Sequence, residues 1–112
     1  MISASNIYLV GPMGVGKTTV GRSLSKSLGM DFVDSDQEIE ERTGVSISTI
    51  FDIEGEAGFR EREAKEIFEL VKRKNIVLAT GGGAVTREDV RKAMRHNGLV
   101  IYLHATLEML VR

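Results

Sequence analysis

The sequence predicts an α/β fold in three layers, with a mainly parallel sheet held between helices. Two observations carry that expectation. Short apolar runs rich in β-branched residues alternate with helical segments along the chain, which is the pattern of βαβ units. A glycine-rich segment, Gly11-Pro12-Met13-Gly14-Val15-Gly16-Lys17-Thr18, also stands between the first such run and the first helix. A chain of 112 residues with one proline and no linker or repeat reads as a single domain, 1–112.

The elements follow in order. Ile7–Val10 is short, apolar and stopped by Gly11, as a buried strand would be. A helix starts near Lys17, with Val20, Leu24 and Leu28 expected on its inner face and Gly29 ending it. Asp31–Asp34 is a weaker strand. Asp36 has the look of an N-cap, with Glu38, Glu40 and Glu41 in the turns where the helix dipole favours acids. Gly44 breaks that helix. Ser46–Phe51 predicts a short helix with Ile47, Ile50 and Phe51 inward, and Gly55 and Gly58 bracket a turn. A long helix runs from about Phe59 to Lys74. Its inner stripe is Phe59, Ala64, Ile67, Phe68 and Val71, and Arg60, Arg62, Glu63, Glu66 and Glu69 are expected mostly outside it. Ile76–Ala79 is the next strand, and Arg87–His96 a helix with Val90 and Met94 inward. Leu99–Leu103 is the last strand, followed by a helix capped by Thr106 with Glu108 near its start and Arg112 inside it.

Composition excludes more than it identifies. The formal net charge of -1 implies no polyanion-binding surface. The absence of cysteine excludes disulfides and thiolate metal sites. No apolar run approaches membrane-spanning length, and the first residues lack a signal peptide's basic and apolar regions. A cytoplasmic protein without membrane or nucleic-acid partners is the expectation. His96 and His104 lack ligand spacing and read as surface or locally hydrogen-bonded groups, and Met13 as a packing residue or a permissive position.

Four segments carry chemistry. Gly11–Thr18 matches the P-loop pattern G-x-x-x-x-G-K-[ST]. Its glycines bring backbone N–H groups against phosphate oxygens, and the following helix adds its positive end. Lys17 is expected to reach the β- and γ-phosphates of a nucleoside triphosphate, and the Thr18 hydroxyl to ligate magnesium. Asp34-Ser35-Asp36 leaves the second strand on the same side of the sheet as the P-loop, because ligands sit beyond the carboxyl ends of parallel strands. One aspartate can approach the metal through water and the other can orient an acceptor hydroxyl and take its proton, while either can also cap the helix. Gly55-Glu56-Ala57-Gly58-Phe59-Arg60 offers an arginine near a helix start, which is a solvated charge or a fork for a carboxylate or phosphate. Thr80-Gly81-Gly82-Gly83 closes a buried strand. Its glycines serve either close approach of a small molecule or a loop needing positive φ.

With these four segments in this order, the chain resembles the shikimate kinase family. The resemblance rests on Leu9–Gly14, Asp34–Asp36, Gly55-Glu56 with Phe59-Arg60, and Ala79–Gly83, and runs over essentially the whole chain. It implies a nucleoside-monophosphate-kinase-like fold and transfer of the ATP γ-phosphate to the 3-hydroxyl of shikimate. By position it implies that Gly14, Val15, Gly16, Lys17, Thr18 and Thr19 hold ATP, with Lys17 also catalytic. Thr18 binds Mg2+ and Asp34 assists it through water. Asp36 contacts the shikimate hydroxyls as candidate base, Arg60 pairs with the shikimate carboxylate, and Gly82 supplies a backbone contact. The family pattern is a monomer and continues beyond the last helix into a lid, further arginines and another strand. The resemblance therefore implies an incomplete domain with little activity of its own and an uncovered edge at Leu99–Leu103. The competing readings are a gluconate-type or nucleoside-monophosphate-type small-molecule kinase on the same fold and a non-catalytic nucleotide-binding fragment.

Overall fold

A computed structural model describes residues 5–12 and 16–104. Four strands, β1 (Asn6–Val10), β2 (Asp31–Asp34), β3 (Ile76–Ala79) and β4 (Gly98–Tyr102), form one parallel sheet in the order β2-β3-β1-β4. Each parallel neighbour must be reached by a crossover, and helices supply it. They are α1 (Lys17–Leu28), α2 (Ser35–Thr43), α3 (Ile47–Leu70) and α4 (Glu88–Asn97). The predicted parallel α/β sheet is observed.

Strand alternation assigns the faces. Tyr8, Val10, Val33 and Leu78 pack with Ala64, Ile67 and Leu70 of α3 and with Val90 and Met94 of α4. Leu9 and Phe32 face the other way, toward α1. That helix turns Gly21 and Ser25 inward rather than the expected stripe, and Val20 and Leu28 are exposed. A Cβ on Gly21 would stand 2.4 Å from the Phe32 ring, so the helix lies closer to the sheet than larger residues would allow.

Three other expectations change. The N-cap of α2 is Asp34 and not Asp36: its Oδ1 accepts from the backbone N–H of Asp36 at 2.9 Å and of Gln37 at 3.1 Å. Asp36 thereby enters the first turn with its carboxylate free for other contacts. The break between the two predicted helices falls at Gly55 alone, with φ 74 and ψ 179, a conformation that side chains rarely adopt. Gly58 lies within the helix. Glu63 and Glu66, expected outside, are buried. Arg42 holds Glu66 with two hydrogen bonds of 2.8 and 3.1 Å. The inner stripe at Phe59, Ala64, Ile67 and Val71 is buried as expected.

At the amino end of the sheet the Asn6 side chain ties two strands to the turn that follows α3. Its Nδ2 donates to the Tyr8 hydroxyl at 2.9 Å and the Arg73 carbonyl at 2.8 Å, and its Oδ1 accepts from the Ile76 N–H at 3.1 Å. Burial pushes the Tyr8 hydroxyl above its ordinary pKa, and the Asn6 bond partly offsets this. Asn6→Ala strands two buried polar groups, the Tyr8 hydroxyl and the Ile76 N–H, and the part-buried Arg73 carbonyl. Urea unfolding is expected to give a loss of about 3 kcal/mol; a loss below about 1 kcal/mol would show that the network is dispensable.

β4 pairs only with β1 among the described strands, and its Leu99 and Tyr102 are exposed, as expected for an open edge. No helix among the described residues is long and apolar enough to cross a membrane. Met13, Gly14, Val15 and the helix expected after Thr106 lie outside the described residues.

Candidate active site

The carboxyl ends of β1, β2 and β3 bring the four segments together, as a parallel sheet requires of its loops. A cleft of 320 Å³ is lined by Gly16, Lys17, Thr18, Thr19, Asp34, Asp36 and the start of the glycine loop, Ala79–Gly82. Gly16, with φ 87, caps α1, so Lys17 and Thr18 occupy the first turn of a helix whose free N–H groups face this side. Lys17 Nζ donates to the carbonyls of Gly11 and Pro12, which draws the ammonium across the mouth of the loop. Burial holds the ammonium below the ordinary lysine pKa, and Asp36 and Asp34 pull it back. The Thr18 hydroxyl donates to Asp34 Oδ2 at 3.4 Å. Asp34 thus has one oxygen on the helix cap and the other beside Thr18.

A second cleft, of 440 Å³, adjoins the first. It is lined by Pro12, Asp36, Ile47, Phe51, Phe59, Arg60, Glu63 and Gly81–Gly83. Ile47 and Phe51 come from the segment before the Gly55 break, and Phe59, Arg60 and Glu63 from the segment after it. Phe51, expected to point inward, stacks near Phe59 at 4.7 Å and forms part of this wall. Asp36, Gly81 and Gly82 belong to both clefts.

Arg60 is held from several sides. Its Nη1 donates to Glu63 Oε1 at 3.0 Å, Nη2 stands 3.6 Å from Glu56, and the guanidinium lies 5.4 Å from the centre of the Phe59 ring. A Cβ on Gly83 would be 2.3 Å from its Cζ, so only glycine lets the guanidinium settle on the loop. Gly81 is confined in the same way: its Cβ would be 2.4 Å from Glu63 Oε2 and 3.0 Å from Asp36 Oδ1. Those two oxygens are buried and have no hydrogen-bond partner among the described residues. Two carboxylates therefore converge over Gly81, each with an oxygen unspent.

This crowding shows in the proton affinities. The Asp36 carboxyl is raised from 3.8 to about 6, first by burial and then by Asp34, Glu63 and Glu40, with Lys17 opposing. Glu63 is also raised, by burial, against its bond to Arg60. A buried charge shift in a cleft marks a candidate functional group when a charge partner accompanies it. Sequence reasoning missed Glu63 as a wall of the site. Its signal was its place one turn after Arg60, on the same helix face.

Lys17, Thr18, Thr19, Asp34, Asp36, Arg60 and Gly82 are thus found around two joined clefts. Of the expected ATP-holding residues, Gly14 and Val15 lie outside the described residues. His96 and His104 are both exposed, and no group of three or more His, Cys, Asp or Glu residues among the described residues could hold a metal.

A family model for shikimate kinase matches residues 13–112. The chain belongs to the shikimate kinase family. Shikimate kinase of Buchnera aphidicola subsp. Schizaphis graminum is 57% identical over 108 residues, covering 96% of this chain and 62% of that protein. The shikimate kinase of Nitrosococcus oceani is 60% identical over 107 residues, covering 96% and 56%. A solved shikimate kinase from Acinetobacter baumannii, in complex with shikimate, superposes with a TM-score of 0.92 at 53% identity, covering 97% of this chain and 61% of that one. A gluconokinase from Sinorhizobium meliloti, 16% identical with a TM-score of 0.57, shares the fold alone. The chain spans about three fifths of the length of the shikimate kinases it matches.

Proposed function

We propose that this protein is a shikimate kinase, moving the γ-phosphoryl group of ATP to the 3-hydroxyl of shikimate. The observation that carries the reading is the junction of two clefts across Asp36, Gly81 and Gly82. A phosphoryl donor and its acceptor must meet in line, and these residues form the shared wall where they would meet.

The first cleft suits a triphosphate. Lys17 exchanges its two carbonyl partners for phosphate oxygens, and the start of α1 adds N–H groups and a positive dipole end. Its donor set also suits magnesium, which takes few protein ligands, all oxygen, beside phosphates and waters. Thr18 Oγ1 and Asp34 Oδ2 are such oxygens, and their proximity at 3.4 Å fits a hydroxyl ligand with a carboxylate behind it. When bound, the ion neutralises charge on the phosphates.

The second cleft suits a small polyhydroxy acid. Arg60 offers a fork to a carboxylate, and Phe59 and Phe51 offer apolar walls to a ring. Asp36 then orients the acceptor hydroxyl and takes its proton as the oxygen–phosphorus bond forms and ADP leaves. A carboxyl at about 6 is ionised at neutral pH and is a better base than an ordinary aspartate. The Gly82 N–H holds a second hydroxyl. We place this reaction in the cytoplasm, in a monomer.

Phosphorus NMR of the intact protein with magnesium ATP and shikimate tests the reading. A new phosphate-ester signal at the expense of ATP is expected. In parallel reactions, conversion of gluconate to its phosphate ester or of a nucleoside monophosphate to its diphosphate, with shikimate left unreacted, would overturn it.

A further inference from the structure

Ser35 is the middle residue of Asp34-Ser35-Asp36, and its own side chain belongs to neither cleft. It is fully buried, and its Oγ accepts the Gly81 N–H at 3.2 Å. We infer that Ser35 is a positioning residue: by holding the Gly81 N–H it fixes the glycine loop and leaves the Gly82 N–H and the Asp36 carboxylate to the acceptor. The inference rests on the kinase reading above.

The hydrogen bonds of the loop follow a set order. The Thr80 N–H and hydroxyl both donate to the Leu9 carbonyl, which anchors the loop to β1. The Gly81 N–H goes to Ser35. The Ala84 and Thr86 N–H groups return to the Gly81 and Gly83 carbonyls. The Gly82 N–H makes no hydrogen bond among the described residues, and Gly82 lines both clefts. Of the two loop N–H groups without a partner among the described residues, Gly83 lines the second cleft alone and Gly82 is the one at the junction.

The alternative partners of Gly81 explain why a hydroxyl is needed. Asp36 Oδ1 and Glu63 Oε2 stand beside Gly81 and lack partners. A buried N–H without an acceptor costs free energy, and a carboxylate is a stronger acceptor than a hydroxyl. Without the Ser35 hydroxyl, Gly81 is expected to turn toward these oxygens. That rotation would occupy the Asp36 oxygen and carry Gly82 with it. Asp34 keeps its cap and its contact with Thr18, so the donor side is left intact.

Steady-state kinetics of Ser35→Ala, Ser35→Cys and Ser35→Thr in the intact protein test this. Ala and Cys are expected to raise KM for shikimate about tenfold and leave KM for ATP within about twofold, and Thr, which keeps the hydroxyl, to stay near the parent. Cys nearly matches serine in size and decides the matter if Ala does not fold. An unchanged shikimate KM in Cys, equal rises for both substrates, or a Thr variant as impaired as Cys would overturn the positioning role. An unsubstituted protein that does not phosphorylate shikimate would instead remove the functional reading on which the inference rests.

Discussion

Asp36→Asn is expected to lower kcat by about three orders of magnitude and, at neutral pH, to make the protein more stable by about 1–2 kcal/mol. The first effect follows from losing the group that takes the hydroxyl proton, a loss typically worth 10²–10⁴ in rate. The second follows from what surrounds the carboxylate. Burial and three neighbouring acids raise its pKa from 3.8 to about 6. Two units correspond to about 3 kcal/mol against the ionised form, and partial solvent access reduces this by roughly half. An asparagine carries no charge, and its amide can donate to the unpartnered Glu63 Oε2.

The pH dependence has a definite sign. Below about 4 the carboxyl is protonated both folded and unfolded, and it costs nothing. Between 3.8 and about 6 the folded state holds the proton more tightly, so stability falls as pH rises. Above about 6 the cost is fully present. Urea unfolding of parent and variant is therefore expected to agree near pH 4 and to diverge by pH 7. A gap of the same size at both pH values, or a variant less stable at pH 7, would refute the account. The same value places the acidic limb of kcat/KM for shikimate near pH 6, well above an ordinary aspartate's.

What the sequence made legible was whatever is encoded locally. The P-loop, the aspartate pair and the glycine triplet are contiguous, and each needs its residues for reasons that act over a few ångströms. The strands could be read because parallel strands buried on both faces are continuous apolar runs, as in Ile76–Ala79, which is buried throughout. The errors fell where distant parts of the chain decide. Glu63 and Glu66 read as solvated because charges usually are, but Arg42 of α2 covers Glu66 and the glycine loop at Gly81 lies against Glu63. The face of α1 was misread because its inner positions are Gly21 and Ser25, which carry no hydrophobic signal. What selects them is the closeness of the Phe32 ring. Asp34 rather than Asp36 caps α2 because the helix follows the strand without a connecting loop, its first residue being Ser35. That small shift is what frees Asp36 for the junction of the clefts.

Arg60→Ala should separate binding from stability. The guanidinium serves two partners in this reading, the acceptor's carboxylate and Glu63. A forked, charge-assisted contact is worth about 1.5–3 kcal/mol, so KM for shikimate is expected to rise by roughly 10- to 150-fold, with a smaller change in kcat. The other partner raises a different cost. Glu63 is 2% exposed, one of its oxygens already lacks a donor, and burial already pushes its pKa up. Removing Arg60 leaves a buried carboxylate without its cation, which is expected to cost a further 1–3 kcal/mol of stability, on the order given for unpaired buried groups. Adding Glu63→Gln to Arg60→Ala removes that charge. The double variant should recover most of the lost stability while its KM stays high, because nothing replaces the fork. If the double variant instead regained the parent's KM, Arg60 would act only by neutralising Glu63, and the carboxylate of the acceptor would have to be held by another group.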